Sequence, residues 1–195
     1  MITGGSARRA GSAEEAGHRA VGAGVTFGLL AAWAVHDAEE LASMPGWVRT
    51  GLPALRERHP QLPEQLWRLL DVDPREFAAA VGVMAVALAA VAAEGHRTGG
   101  RSAAYQAALN GFGLHGLMHL AQAGAARRRT PGAATSPLVV IPFTLWARGR
   151  LRRAGVLRPT RPAEAVRGVA LAAALTAGAH LTARRLVRSR PATRG

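Results

Sequence analysis

Apolar residues in this chain gather into five runs separated by polar stretches that carry arginine. The runs lie at about 20–42, 77–93, 103–126, 134–147 and 165–183. The second, FAAAVGVMAVALAAVAA, has no charge over 17 residues, whereas a helix buried in a soluble Ala-rich bundle keeps a polar face. A membrane-spanning helix needs roughly 20 mostly apolar residues. The first, second, third and fifth runs meet that length; the fourth, short and holding Pro137 and Pro142, is marginal. The pattern predicts an all-α, polytopic membrane helical bundle with about five transmembrane helices, in a multi-pass cell-membrane protein whose immediate partners are membrane lipids.

The intervening segments refine this layout. Residues 1–19 are small and polar and read as a disordered N-terminus. They are too polar for a signal peptide, although the run that follows can itself direct insertion. The bundle is expected over 20–186, with a basic C-terminal tail at 187–195. Between the first two runs, 43–76 carries Pro45, Pro53, Pro60, Pro63 and Pro74, with Trp47, Leu52, Leu55, Leu66, Trp67, Leu69 and Leu70 among mixed charges. This reads as an amphipathic interfacial segment of one or two short helices, with its tryptophans at headgroup level.

Composition excludes some chemistry. There is no cysteine, hence no disulfide and no thiolate ligand. The formal charge is +13, a value that in a soluble protein points to nucleic acid. Here the arginines form short clusters at the ends of apolar runs, with no aromatic or Gly-rich RNA-binding pattern among them, so the expected partner is the anionic headgroup and no nucleic acid. With five crossings, one side collects 11 arginines and the other 13, so the positive-inside rule assigns no orientation.

The candidate chemistry lies within the apolar runs. An ionisable group at the centre of a membrane helix costs at least roughly 2.5–3.5 kcal/mol on insertion scales, and such groups usually mark function. The first run ends in WAVHDAEELA. His36, Glu39 and Glu40 are spaced i, i+3, i+4 and share a helix face, while Asp37 points towards another helix or the interface. On the third run His115 and His119 share a face, and Asn110 lies a little over one turn earlier in a partly different direction. His180 follows an apolar stretch in the fifth. Runs one, three and five cross in one direction if all of them span. At roughly 1.5 Å per residue, all these groups then lie about 18–30 Å along their helices, at one level.

Two carboxylates and two or three imidazoles at one depth match the preferences of zinc, iron or manganese. Helical bundles build such sites from inward-facing Glu and His. The candidate ligands are His36, Glu39, Glu40, His115, His119 and His180, with Asn110 as a further polar group. Glu39 and Glu40 are the candidate catalytic residues, as ligands or with one of them as general acid/base. Three plainer readings remain open: charges at an interface for the first group, core histidines bonded to carbonyls for the second, and a structural role for His180.

HDAEE at 36–40 resembles the signature of the HXXEE family of small bacterial membrane proteins, which pairs that motif with a further histidine and a Tyr-x-Pro-Gly motif. The further histidine corresponds to His115 or His119 in NGFGLHGLMH, and Pro131 and Gly132 match the Pro-Gly half, with Arg129 in the tyrosine's place. The resemblance covers about residues 25–145; it implies the architecture and these candidate residues, and no reaction. Intramembrane CAAX-type proteases also join a Glu-Glu pair to histidines. Their pattern departs at Met44 and Gly111, where it requires arginine and phenylalanine, so that likeness is one of chemistry.

The expected function is that of an enzyme acting on a lipophilic substrate, such as an isoprenoid or a lipid, by metal-assisted or Glu general-acid chemistry: cyclisation, isomerisation or hydrolysis. A metal-ion or proton-coupled transporter, or an ion-responsive membrane protein, using the same residues is the alternative. A structural membrane partner without chemistry is the third.

Overall fold

The computed structural model describes residues 21–159 and 174–185, with Leu69 described by its backbone alone. The expected disordered N-terminus, the basic tail and the first half of the fifth run lie outside the described residues. Those described are helical, with no strand among them.

Helix α1 (Ala23–Gly46) runs through Pro45 and widens into a π-helical turn, Trp47–Gly51. Two short helices, α2 (Leu52–Arg58) and α3 (Glu64–Leu70), follow. Helix α4 (Pro74–Arg97) starts sharply because Pro74 pre-sets its first residue and Asp73 caps it, Oδ1 accepting from the amides of Arg75 at 2.8 Å and Glu76 at 3.0 Å. Ser102 caps α5 (Ala103–Ala126), which ends on Arg127 in the left-handed region. A second π-helical turn, Ser136–Val140, leads into α6 (Ile141–Arg153). Pro142 has no amide hydrogen to return to the Leu138 carbonyl, which accounts for a wider turn at this point.

The long helices alternate in direction. At the start of α1 and α5, Tyr105 Oη donates to the Val25 carbonyl at 2.6 Å; one end further on, the His36 and His115 rings lie 5.1 Å apart, so these two helices run parallel. Helix α4 runs the other way, with Gly95 against the Tyr105 ring and His96 beside Thr26. So does α6, where Val140 just before it and its own Thr144 and Leu151 meet Gly116, Gly113 and Gly100. Glycine at these crossings lets the backbones approach closely, as in lipid-embedded bundles. The core between α1, α5 and α6 is built from Val25, Leu29, Ala32, Tyr105, Leu109, Phe112, Val140, Ala147 and Leu151. Residues 174–185 are helical and lay Ala179 and Ala183 on Ala80 of α4.

Among the described residues one helix, α4, is long and apolar enough to cross a membrane, with 11% of its apolar window buried. The five-span expectation is narrowed accordingly. Helices α1 and α5 are also 24 residues long, but α1 carries Asp37, Glu39 and Glu40, and α5 carries Gln106, Asn110 and two histidines. The fourth run is interrupted by its π-helical turn. In the linker, Trp67 departs from the expected headgroup position. It is turned inward, 3% exposed, and its indole donates to the Leu62 carbonyl at 3.2 Å.

Candidate metal centre

Four of the six proposed ligands come together. His36 and Glu40 from α1 and His115 and His119 from α5 each offer one donor atom, and these atoms all lie within 4.8 Å of one another. The convergence follows from the parallel pairing of α1 and α5. Spacing of i, i+4 stacks each pair on one helix face, and the two faces meet. His119 Nε2 stands 3.1 Å from Glu40 Oε1 and 2.8 Å from His115 Nε2. His36 Nε2 lies 4.0 Å from Glu40 Oε1. The His36 ring centre is 5.0 Å from that of His119, and the His115 and His119 centres are 4.3 Å apart. Two donors on a tetrahedral ion at ~2.1 Å stand ~3.4 Å apart, so the cluster needs only small adjustments to close on a first-row divalent cation.

Burial sharpens the chemistry. His36 is fully buried, His119 is 5% exposed and Glu40 7%, while His115 lies partly open. A carboxylate in such a place needs a positive partner or full hydrogen bonding. None of the three residues around Glu40 carries a permanent cation. Moreover, His36 Nε2 is buried without a hydrogen-bonding partner. An orphaned imidazole nitrogen beside a buried carboxylate is the donor set that zinc, iron or manganese takes, and an ion's charge would hold the carboxylate ionised. Asp37 is buried too, at 8% exposure.

Glu39 faces the loop that follows α5. Its Oε2 accepts from the Thr135 amide at 2.7 Å and the Thr135 hydroxyl at 2.6 Å; its Oε1 accepts from the Ala134 amide at 3.3 Å and lies 3.6 Å from Arg129 Nη2. The same hydroxyl is 2.7 Å from His36 Nδ1. Gly132 in this loop has φ +75°, and a Cβ there would come within 2.8 Å of both the His119 and the His36 rings. The loop backbone therefore lies directly against the cluster, and only glycine fits.

The remaining two sequence candidates are elsewhere. His180 Nδ1 lies 3.0 Å from Glu76 Oε1 in the first turn of α4, where Arg184 also donates to that oxygen. Its placement corrects the expectation that three histidine-bearing helices meet: equal depth fixes height along the bundle, not position around it. Asn110 accepts a hydrogen bond from Arg148 of α6, one turn and more away from the cluster. Thr135 escaped sequence reasoning because nothing in AATSP ties it to a histidine 99 positions earlier. For Gly132 the sequence offers one signal, its Pro-Gly context.

A protein family described as "Protein of unknown function with HXXEE motif" matches residues 27–147, a span that holds all four clustered donors and the loop over them. The chain belongs to this family. No curated protein and no solved structure matches it.

Proposed function

We propose that this member of the HXXEE family is a multi-pass membrane protein whose bundle holds a divalent metal ion, and that it is an enzyme acting on a lipophilic substrate such as an isoprenoid or a lipid. The observation that carries the reading is the cluster of His36, Glu40, His115 and His119, three of them buried, with His36 Nε2 lacking any hydrogen-bonding partner.

Support for the membrane comes from an inverted distribution of polarity. Gln106, Ser136, Thr144, His36, Glu40 and His119 are buried, while Val86, Leu117, Leu138 and Leu145 are 73%, 53%, 75% and 66% exposed. Apolar surface of this extent calls for lipid or a partner. Alternating helix directions and polar groups facing inward accord with several crossings. Support for the substrate class comes from His115. It sits on α5 between the buried face of Phe112, Gly116 and His119 and the exposed face of Leu114 and Met118. The open side of the site thus borders an apolar surface, which a lipid-soluble molecule reaches without entering water. A bound ion would supply a Lewis acid and an acidified water. The chain's own residues supply the ligands, a water-poor interior and, in Glu40 and Asp37, carboxylates for proton handling.

The test is to purify the full chain in mild detergent, measure its metal content, and incubate it with total lipid extract under mass spectrometry, beside Glu40→Gln. Expected are one metal per chain, metal lost in the variant, and a lipid converted by the wild type alone. A wild type free of metal overturns the metal centre. Bound metal with no lipid converted and with ion flux in proteoliposomes overturns the enzyme.

A further inference from the structure

We infer that Glu39 and Thr135 are positioning residues that fix the tautomer of His36, with Nδ1 protonated and Nε2 presenting a bare lone pair to the cluster. The inference rests on the metal-centre reading for its use and on hydrogen-bond accounting for its geometry.

Glu39 is surrounded by donors: the amides of Ala134 and Thr135, the Thr135 hydroxyl, and the Arg129 guanidinium at 3.6 Å. Two main-chain amides have no alternative to donating, so the carboxylate is the acceptor in this group. A threonine hydroxyl has one proton. At 2.6 Å from Glu39 Oε2, with that oxygen already accepting the Thr135 amide, the proton lies towards Glu39. The hydroxyl can then meet His36 Nδ1, 2.7 Å away, only as an acceptor. His36 must therefore donate from Nδ1. The neutral ring has no second proton, so Nε2 is bare, in a fully buried side chain with no hydrogen-bonding partner for that atom.

The result is a directional chain, Glu39 accepting from Thr135 and Thr135 accepting from His36, whose far end is a lone pair aimed at Glu40 and His119. Outer partners of this kind fix which nitrogen of a histidine binds metal and raise its basicity. They also explain why the motif carries two consecutive glutamates with different roles. Glu40 turns inward to the cluster, whereas Glu39, one residue earlier on the helix, holds the loop and the proton order.

The test compares the full chain with Thr135→Val, which keeps shape but loses the hydroxyl, and Thr135→Ser, which restores it. Zinc affinity is read by competition with a chromogenic chelator in detergent, and the His36 tautomer by nitrogen-15 NMR of histidine-labelled, metal-free protein, assigned with His36→Gln. Expected for Thr135→Val is zinc binding weakened about 10- to 100-fold, the range seen for outer-shell partners, together with loss of the Nδ1-protonated His36 signal. Thr135→Ser should recover both. If the wild type binds zinc and Thr135→Val binds it equally well, or if wild-type His36 carries its proton on Nε2, the inference is overturned. A wild type that binds no zinc but shows the Nδ1-protonated ring, lost in Thr135→Val, upholds the proton order and defeats only the metal reading.

Discussion

Glu40 and Glu76 each meet a histidine at almost the same distance, 3.1 Å from His119 Nε2 and 3.0 Å from His180 Nδ1. Their surroundings differ in one respect that decides their chemistry. Glu76 sits in the first turn of α4, at the positive end of the helix dipole, and Arg184 gives it a permanent cation at 2.8 Å. Its charge is balanced within the chain, in a setting where His180 and Arg184 remain partly exposed. Glu40 has imidazoles alone, it is buried among them, and His36 Nε2 beside it has no hydrogen-bonding partner. A His–Glu pair is therefore not in itself a metal site; what singles one out is a buried charge that the protein leaves uncompensated.

The comparison breaks first, and most visibly, on paired histidine substitutions. His119→Ala should weaken metal binding by more than about 100-fold, beyond what outer-shell partners cost, whereas His180→Ala should leave metal content unchanged. Elemental analysis of the two purified variants beside the wild type reads this directly. Equal loss in both would mean that the two clusters act together, against their separate sets of partners.

A smaller effect is expected where the loop presses on the cluster. Gly132 and Gly155 both have positive φ, at +75° and +67°, yet a Cβ at Gly155 meets nothing within 4 Å. Gly155→Ala should show the backbone term alone, about 1 kcal/mol of stability in detergent melting, with metal retained. Gly132→Ala should cost about 1–3 kcal/mol and weaken metal binding as well, because the new methyl must displace His36 or His119. If the two variants melt alike and both bind metal fully, the loop is not a wall of the site.

How far the sequence anticipates this contrast depends on what each residue needs for its placement. His36, Glu40, His115 and His119 follow from helical spacing and from the alternating direction of the long helices, which makes α1 and α5 parallel. The all-helical fold follows similarly from the apolar runs. Glu39 was indistinguishable from Glu40 by spacing, because i+3 and i+4 share a face; only the loop after α5 separates their roles. That loop is short, polar and aperiodic, so Thr135 and Gly132 leave no periodic trace. His180 packs elsewhere for a geometric reason: an apolar run carries no information about which neighbours its helix packs against, and 174–185 lies on Ala80 of α4. Arg148, which occupies Asn110, likewise came from a helix whose facing could not be read from its sequence.

The smallest effect tests the charge argument itself, through the sign of a stability change. Glu76→Gln keeps an acceptor but removes a charge that the Arg184 guanidinium and the helix terminus both favour. Arg184 is half-exposed, so the loss should be about 0.5–1 kcal/mol, a shift of a few degrees in detergent melting that shrinks as salt screens the pair. Glu40→Gln in metal-stripped protein should go the other way, neutral or stabilising, because a neutral amide replaces a buried carboxyl that has no fixed cation. With metal present the order reverses: the wild type gains the binding free energy of the ion and the Glu40 variant does not. Melting curves of the three proteins with and without added zinc supply the comparison. If Glu40→Gln destabilises the metal-free protein more than Glu76→Gln does, the imidazoles already satisfy Glu40, and the buried carboxylate asks for no ion.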